Sequence, residues 1–385
     1  MLLEGGCGPQ LANEWGRFGA GEQNGAVLPS CEVLTVGRPG SGTPGADEPS
    51  TNRPVARAAR LLRRGGLVAF PTETVYGLGA NAFDDDAVGR IFEAKQRPAS
   101  DPLIVHLAGV EDVDEVVAEW SAAAVLLAGA FWPGPLSLVV PRHERVPSRV
   151  TAGGPAVAVR VPAHPVARDL IRAAGVPVAA PSANRFGRIS PTTADHVVEE
   201  LGDRIELVLD AGPTPLGVES TVVDLTGTVP VLRRPGGVTL EDLRSVVPAI
   251  EVAHRSVLAP GQAATAPGEL LAHYSPATPV VLVEAGDEVL EQLVAAAVSV
   301  GIAARRLPLS SDASAAAREL YAAMRAADRP GIDLLLAPTV DPEGLGRAVN
   351  DRLYRAAHGR VVTDAAPGTV ARLGAIAACA PPRES

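Results

Sequence analysis

The chain has 385 residues, with 44 acidic and 34 basic side chains and a net charge of −10 at neutral pH. At 46% hydrophobic and 20% charged it belongs to a folded protein, and its length suggests two domains. No apolar run reaches the ~18 residues of a membrane span and no basic stretch precedes an apolar one at the N-terminus. Cys7, Cys31 and Cys379 form no paired cluster, so neither a disulfide framework nor a zinc site is implied and a reducing cytoplasm fits.

Residues 1–50 hold 11 Gly and 5 Pro without a sustained helix or strand period, and read as a disordered extension. Pro54–Arg64 spaces Val55, Ala58, Ala59, Leu61 and Leu62 as one helix face between arginines, and Gly65-Gly66 ends it. Leu67–Phe70 is a short buried strand stopped by Pro71. Helices are then predicted over Asp85–Ala94, Val113–Ala118, Ala122–Ala130, His164–Ala174 and Thr193–Leu201. Strands are predicted over Leu103–His106, Leu136–Val140, Ala156–Val161, Val178–Ala180, Leu207–Asp210, Ser220–Asp224 and Val231–Arg233. This alternation predicts an α/β domain whose sheet is covered by helices.

Ala259–Gly268, rich in Pro, Gly and Ala, separates a second unit. It reads as strand Val280–Val283, helices Glu288–Val300 and Ser314–Ala327, strand Leu334–Leu336 and helix Leu345–Ala357, a small Rossmann-like domain. It has no GxGxxG, so nothing indicates a dinucleotide. The expected layout is an extension over 1–50, a first domain over 51–245, a linker over 246–278, a second domain over 279–365 and a tail over 366–385. Residues 51–240 carry 19 basic against 21 acidic side chains, and neither flank is basic, which argues against a primary nucleic-acid role.

The informative clusters sit at strand-to-loop junctions of the first domain, where open α/β sheets bind ligands. In Pro71-Thr72-Glu73-Thr74-Val75-Tyr76-Gly77-Leu78-Gly79, hydroxyls and glycines suit a small polar ligand, or simply a hydrogen-bonded turn. Lys95-Gln96-Arg97-Pro98 ends a helix; its cations would clamp a polyphosphate or answer the helix dipole. Lys95 is the one lysine among 34 basic residues, and an ammonium meets phosphate oxygens as a compact point charge. His106 ends a hydrophobic strand and reads as a ligand group or a structural histidine. Arg160, inside Val157-Ala158-Val159-Arg160-Val161, needs an anion because an unpaired buried charge is costly; a substrate carboxylate and an internal Asp or Glu are the alternatives. Pro181-Ser182-Ala183-Asn184 with Ser190-Pro191-Thr192, Gly217–Asp224, and Leu232-Arg233-Arg234-Pro235-Gly236 complete the set.

In this order the seven stretches resemble the YrdC family of threonylcarbamoyl-AMP synthases over about residues 51–240. Ala266-Pro267-Gly268 with His273-Tyr274-Ser275-Pro276 is similar to the linker of the long, two-domain form, and Gly344-Leu345-Gly346 with Arg352-Leu353 to its last helix. The resemblance implies a YrdC-like twisted mixed sheet with flanking helices plus a smaller Rossmann-like C-terminal domain. It also implies an L-threonylcarbamoyladenylate synthase, a nucleotidyltransferase using L-threonine, bicarbonate and ATP with Mg2+ held by the ATP phosphates rather than by protein ligands. The product would pass to a tRNA threonylcarbamoyl transferase complex, without direct tRNA binding. Thr74, His106, Arg160, Ala180 and Ser220 would line the threonine pocket. Lys95, Arg97, Asp101, Ala156, Ser182, Asn184, Ser190, Arg234 and Tyr274 would hold the nucleotide, with Lys95 and Arg97 catalytic. Departures from the family pattern fall at Ala156, Asp101, Phe186, Asp351 and the Glu269–Ala272 segment. The alternatives are a related carbamoyl-adenylate-forming enzyme and an RNA-binding or ribosome-assembly factor of the same fold.

Overall fold

The computed structural model describes residues 31–37, 52–253 and 273–378. In the first domain, β1 (Glu32–Thr35) is followed by α1 (Asn52–Arg63), β2 (Val68–Pro71), β3 (Tyr76–Asn81), α2 (Asp85–Lys95) and β4 (Ile104–His106). A 3-10 turn over Val110–Glu115 leads to α3 (Ala122–Phe131) and β5 (Leu136–Pro141). A second over Ser148–Thr151 leads to β6 (Ala156–Arg160), α4 (Pro165–Ala174), β7 (Val178–Ala179), α5 (Ala194–Leu201), β8 (Leu207–Asp210), β9 (Thr221–Asp224) and β10 (Val231–Arg234). α6 (Leu240–Val246) and β11 (Glu251–Val252) complete the unit.

These strands form one 11-stranded mixed sheet in the order β1-β8-β2-β3-β7-β4-β6-β5-β9-β10-β11. One face of its central strands is apolar and packs into the main core, as with Val157, Val159, Leu136 and Leu138, while Ile104, Val139, Ala158 and Val222 form a smaller apolar patch on the other face. Two registers position the candidate residues. β4 and β6 run parallel with His106 opposite Arg160, so both polar side chains emerge at the same strand ends. β2 and β3 pair antiparallel from Val68↔Gly79 to Pro71↔Tyr76, which pinches Thr72–Val75 into a tight loop.

The second domain has a parallel four-stranded sheet, ordered β13-β14-β12-β15. Its elements are β12 (Val280–Val283), α7 (Gly286–Ser299), β13 (Ala304–Arg306), α8 (Ala313–Ala327), β14 (Leu334–Pro338), α9 (Gly346–Ala356), β15 (Val361–Val362) and α10 (Pro367–Ala378). The docking between domains is close: a Cβ on Gly217, which has φ +82°, would stand 2.4 Å from the Ala317 carbonyl of α8.

Three boundary expectations are corrected. Glu32–Thr35 is a strand parallel to β8, and Val36 is buried beside Val55, Leu62 and Val68, so this part of residues 1–50 is packed. The composition of 50 residues hides a five-residue alternation. β11 pairs with β10, so the first sheet runs past residue 245. Pro367–Ala378 is a helix with Leu373 buried against the second domain's core, where a tail was expected. Residues 1–30 and 38–50 of the expected extension, residue 51, and residues 254–272 of the linker, including Ala259–Gly268 and the Glu269–Ala272 segment, lie outside the described residues.

Deleting residues 1–37 removes the ladder to β8 and the burial of Val36. The melting temperature should fall by roughly 4–10 °C. An unchanged melting curve would mean that β1 contributes nothing to the fold.

Candidate active site

The β2–β3 loop is built by Thr72, whose hydroxyl accepts from the Thr74 and Val75 amides at 3.2 and 3.3 Å and donates to the Val75 carbonyl at 2.7 Å. This turns Glu73 and Thr74 toward the end of β6. There Arg160 Nη2 donates to Glu73 Oε1 at 2.6 Å and to Thr74 Oγ1 at 3.1 Å, while its Nε donates to the Gly134 carbonyl at 3.2 Å. Glu73 Oε2 accepts from the Ala163 amide at 3.0 Å. Arg160 therefore has its internal carboxylate and also lines a pocket. His106, beside it, has Nδ1 3.2 Å from the Ile104 carbonyl. Burial, reinforced by the Arg160 charge, pushes His106 down to about 3, so the ring is neutral at physiological pH.

α2 is capped by Asp84, whose carboxylate accepts from the Asp86 and Ala87 amides, and it ends at Gln96 in the left-handed conformation, φ 54°. The reversal at Gln96 separates its two neighbours. Lys95 points inward, 1% exposed, and donates to the carbonyls of Ser182 and Asn184. Arg97 lines the pocket, ion-pairs with Asp101 at 2.9 Å and donates to the Pro102 carbonyl at 2.8 Å. The Asp101 carboxylate, expected near phosphates, is thus answered by Arg97. The Asn184 amide nitrogen donates to the Arg185 and Arg188 carbonyls at 2.8 and 2.9 Å and fixes the loop that Lys95 anchors.

β9 and β10 supply the third wall. Arg234 donates to the Ser220 carbonyl at 2.9 Å and to its hydroxyl at 3.1 Å, and that hydroxyl lies 2.9 Å from Ser137 Oγ. Gly236 lets two backbones meet here, since a Cβ would stand 2.4 Å from the Glu219 carbonyl. Ser190 donates to Glu219 at 2.6 Å. Tyr274 closes the pocket from the linker with φ 65°; its ring stacks on Tyr321 at 5.9 Å and touches His273 at 4.1 Å. Phe186, a departure from the family pattern, meets His273 edge-on at 5.7 Å.

One cleft gathers Thr74, Arg97, His106, Arg160, Ala180, Ser182, Ser220, Arg234 and Tyr274. Lys95, Asp101, Ala156, Asn184 and Ser190 do not line it. Four of these five stand behind its wall through the bonds just described, and Ala156 begins β6, opposite Pro141. Thr72, Glu219 and His273 also line the cleft and Glu73, Ser137 and Arg352 support it; none had been singled out. Thr72, Glu73 and Glu219 lie within the seven stretches and His273 and Arg352 within the linker and last-helix motifs, whereas Ser137, inside a predicted strand, carried no signal. Among the described residues no group of three or more His, Cys, Asp or Glu side chains could hold a metal ion, and no helix is long and apolar enough to cross a membrane.

Residues 60–236 match the Sua5/YciO/YrdC family, described as "Telomere recombination", and residues 238–358 match the C-terminal domain of threonylcarbamoyl-AMP synthase. The chain is 46% identical over 321 residues to the threonylcarbamoyl-AMP synthase of Pyrococcus abyssi, covering 79% of this chain and 94% of that one. It is 41% identical over 339 residues to that of Bacillus subtilis, covering 82% and 96%. A crystal structure of P. abyssi Sua5 complexed with L-threonine superposes with a TM-score of 0.77 at 43% identity, over 80% of this chain and 95% of that one. A cleft walled by an α/β domain and its linker, with a second parallel-sheet domain docked behind, and relatives that are synthases place the chain among enzymes of the α/β class. The chain belongs to the threonylcarbamoyl-AMP synthase family, in its two-domain form.

Two stability predictions follow from the buried cations. Lys95→Met strips two carbonyls of their donor and should cost about 2–4 kcal/mol in urea unfolding. Lys95→Arg must fit a larger planar group into the same slot and should cost about 1–3 kcal/mol; a wild-type midpoint for both would remove Lys95 from the scaffold. His106 refuses a proton that the unfolded chain accepts below its ordinary value of 6.5. Its contribution is therefore full above that pH and is lost as pH falls toward about 3. Burial also depresses His164, His196, His273 and His358, so His106→Gln should flatten only part of the acid limb. Equal slopes for variant and wild type in denaturant titrations from pH 7 to 4 would contradict this.

Proposed function

We propose that the chain is an L-threonylcarbamoyladenylate synthase: it condenses L-threonine, bicarbonate and ATP into threonylcarbamoyl-AMP, pyrophosphate and water by nucleotidyl transfer. The observation that carries this reading is the convergence of nine expected residues from separate stretches on one cleft. One end holds Arg160, Thr74 and His106, suited to a small amino acid. The other holds Arg97, Arg234 and Tyr274, two cations and a phenol that burial keeps neutral. Ser220 joins the two ends through its bonds to Arg234.

In this reading Arg160, held by Glu73, presents its remaining donors to the threonine carboxylate, while Thr74 and the neutral His106 ring pack against its side chain. The threonine amine adds to CO2 derived from bicarbonate and loses a proton, forming a carbamate. A carbamate oxygen attacks the α-phosphorus, and the bond to the β-phosphate oxygen breaks to release pyrophosphate. Two anions must meet, so Arg97 and Arg234 supply preorganised positive charge. Mg2+ enters with the ATP phosphates as part of the substrate; Asp101 and Glu219 are engaged by Arg97 and Arg352. Tyr274 excludes water from a labile carbamate and mixed anhydride. A cytoplasmic setting and transfer of the product to a tRNA-modifying complex are part of the same proposal.

ATP–pyrophosphate exchange tests it. Exchange should require both L-threonine and bicarbonate, and Arg160→Ala should raise the KM for threonine at least tenfold. Exchange without threonine, or none in a folded preparation, would sink the reading.

A further inference from the structure

Glu219 lies in the cleft wall, 6% exposed, between the threonine-side Ser220 and the nucleotide-side Ser190. A carboxylate there is a liability beside a polyphosphate. Burial pushes it up, yet Arg352 and Arg234, with bonds from Ser190 and Arg352, outweigh burial and hold it below the usual carboxylate range. Arg352 belongs to α9 of the second domain and is fully buried. Its Nε donates to Glu219 at 2.7 Å, its Nη1 to Asp351 at 2.7 Å and its Nη2 to the Pro235 carbonyl at 3.0 Å. Its guanidinium carbon sits 5.1 Å from the centre of the Tyr274 ring. Tyr321 of α8 donates to the same carboxylate at 2.8 Å.

We infer that Arg352 is a positioning residue for the nucleotide half of the site, acting from the second domain through Glu219 and Tyr274. This rests on the synthase reading above. Arg352 takes up the Glu219 charge, so that Glu219 does not compete with phosphate for Arg234, which is held in place by its bonds to Ser220; without Arg352, Glu219 would draw Arg234 or take a proton. It also carries the Tyr274 ring and the Pro235 carbonyl, so one side chain ties the linker and β10 to the wall. The cleft therefore reaches its working charge only with the second domain docked.

The test uses the full-length chain in ATP–pyrophosphate exchange. Wild-type exchange checks the synthase reading itself, and only an active wild type makes the variants informative about Arg352. Arg352→Met should raise the KM for ATP by roughly 10- to 100-fold and change that for threonine by less than about threefold. Pairing it with Glu219→Gln removes the stranded charge and should recover most of that loss. Arg306→Ala, a half-buried ion-pair residue of the same domain, should behave as wild type. A melting shift in Arg352→Met with unchanged KM for ATP would reduce Arg352 to an interface brace and overturn the inference. Simple addition of the two losses in the double variant would do the same. If Arg352→Met does not fold, Arg352→Lys and Glu219→Gln, alone and together, carry the same comparison.

Discussion

Positive charge buried in the protein is the constraint on which this site depends. Arg97, Arg160 and Arg352 are buried, and each is met by a carboxylate from another turn, loop or domain: Asp101, Glu73 and Glu219. Lys95 is met by two carbonyls. Losing one partner of such a pair costs about 3–5 kcal/mol, because the other charge is stranded. The partners therefore lock the surrounding loops as firmly as packing does. They also fix the cations before any ligand arrives, so little reorganisation is left for the chemical step.

The same pairing explains the order of the secondary structure. The left-handed Gln96 sends Lys95 and Arg97 in opposite directions, one to the scaffold and one to the cleft. The parallel register of β4 and β6 delivers His106 and Arg160 together, and the β2–β3 loop brings Glu73 and Thr74 to meet them. The contacts of Arg160 with Glu73 and Thr74 are not local in sequence; they are set by strand registers that a one-residue slip would destroy.

That distinction also decides what was legible in the sequence. Arg160 announced itself because a cation in an apolar strand demands an anion, and both readings of it hold: it pairs with Glu73 and it faces the cleft. Glu219 gave no such signal, since its partner lies 133 residues away in another domain. Pro71–Gly79 reads as a ligand segment or a hydrogen-bonded turn, but from Tyr76 it is a strand; at Gly79 a Cβ would press within 2.7 Å of the Phe70 ring, a packing need and not a turn. Long periodic elements such as α2 and α8 were readable to within a residue or two, whereas the edge strand β1 and the terminal α10 were lost in biased composition.

The linker shows how departures from a family pattern can compensate one another. Tyr274 holds a left-handed backbone that a non-glycine residue adopts only when its surroundings impose it. The surroundings come from every side: His273 and Tyr321 against the ring, Arg352 over its face, and the Ser275 amide donating to the Gly187 carbonyl at 2.8 Å. Phe186, on the loop that Lys95 anchors, braces His273 in turn. Asp351, another departure, accepts from both Arg352 and Arg355 and so adds an anion to the network beneath Tyr274. Closure over the cleft thus rests on aromatic packing backed by buried ion pairs of the second domain, and the lone lysine of the chain secures the loop against which that packing is built.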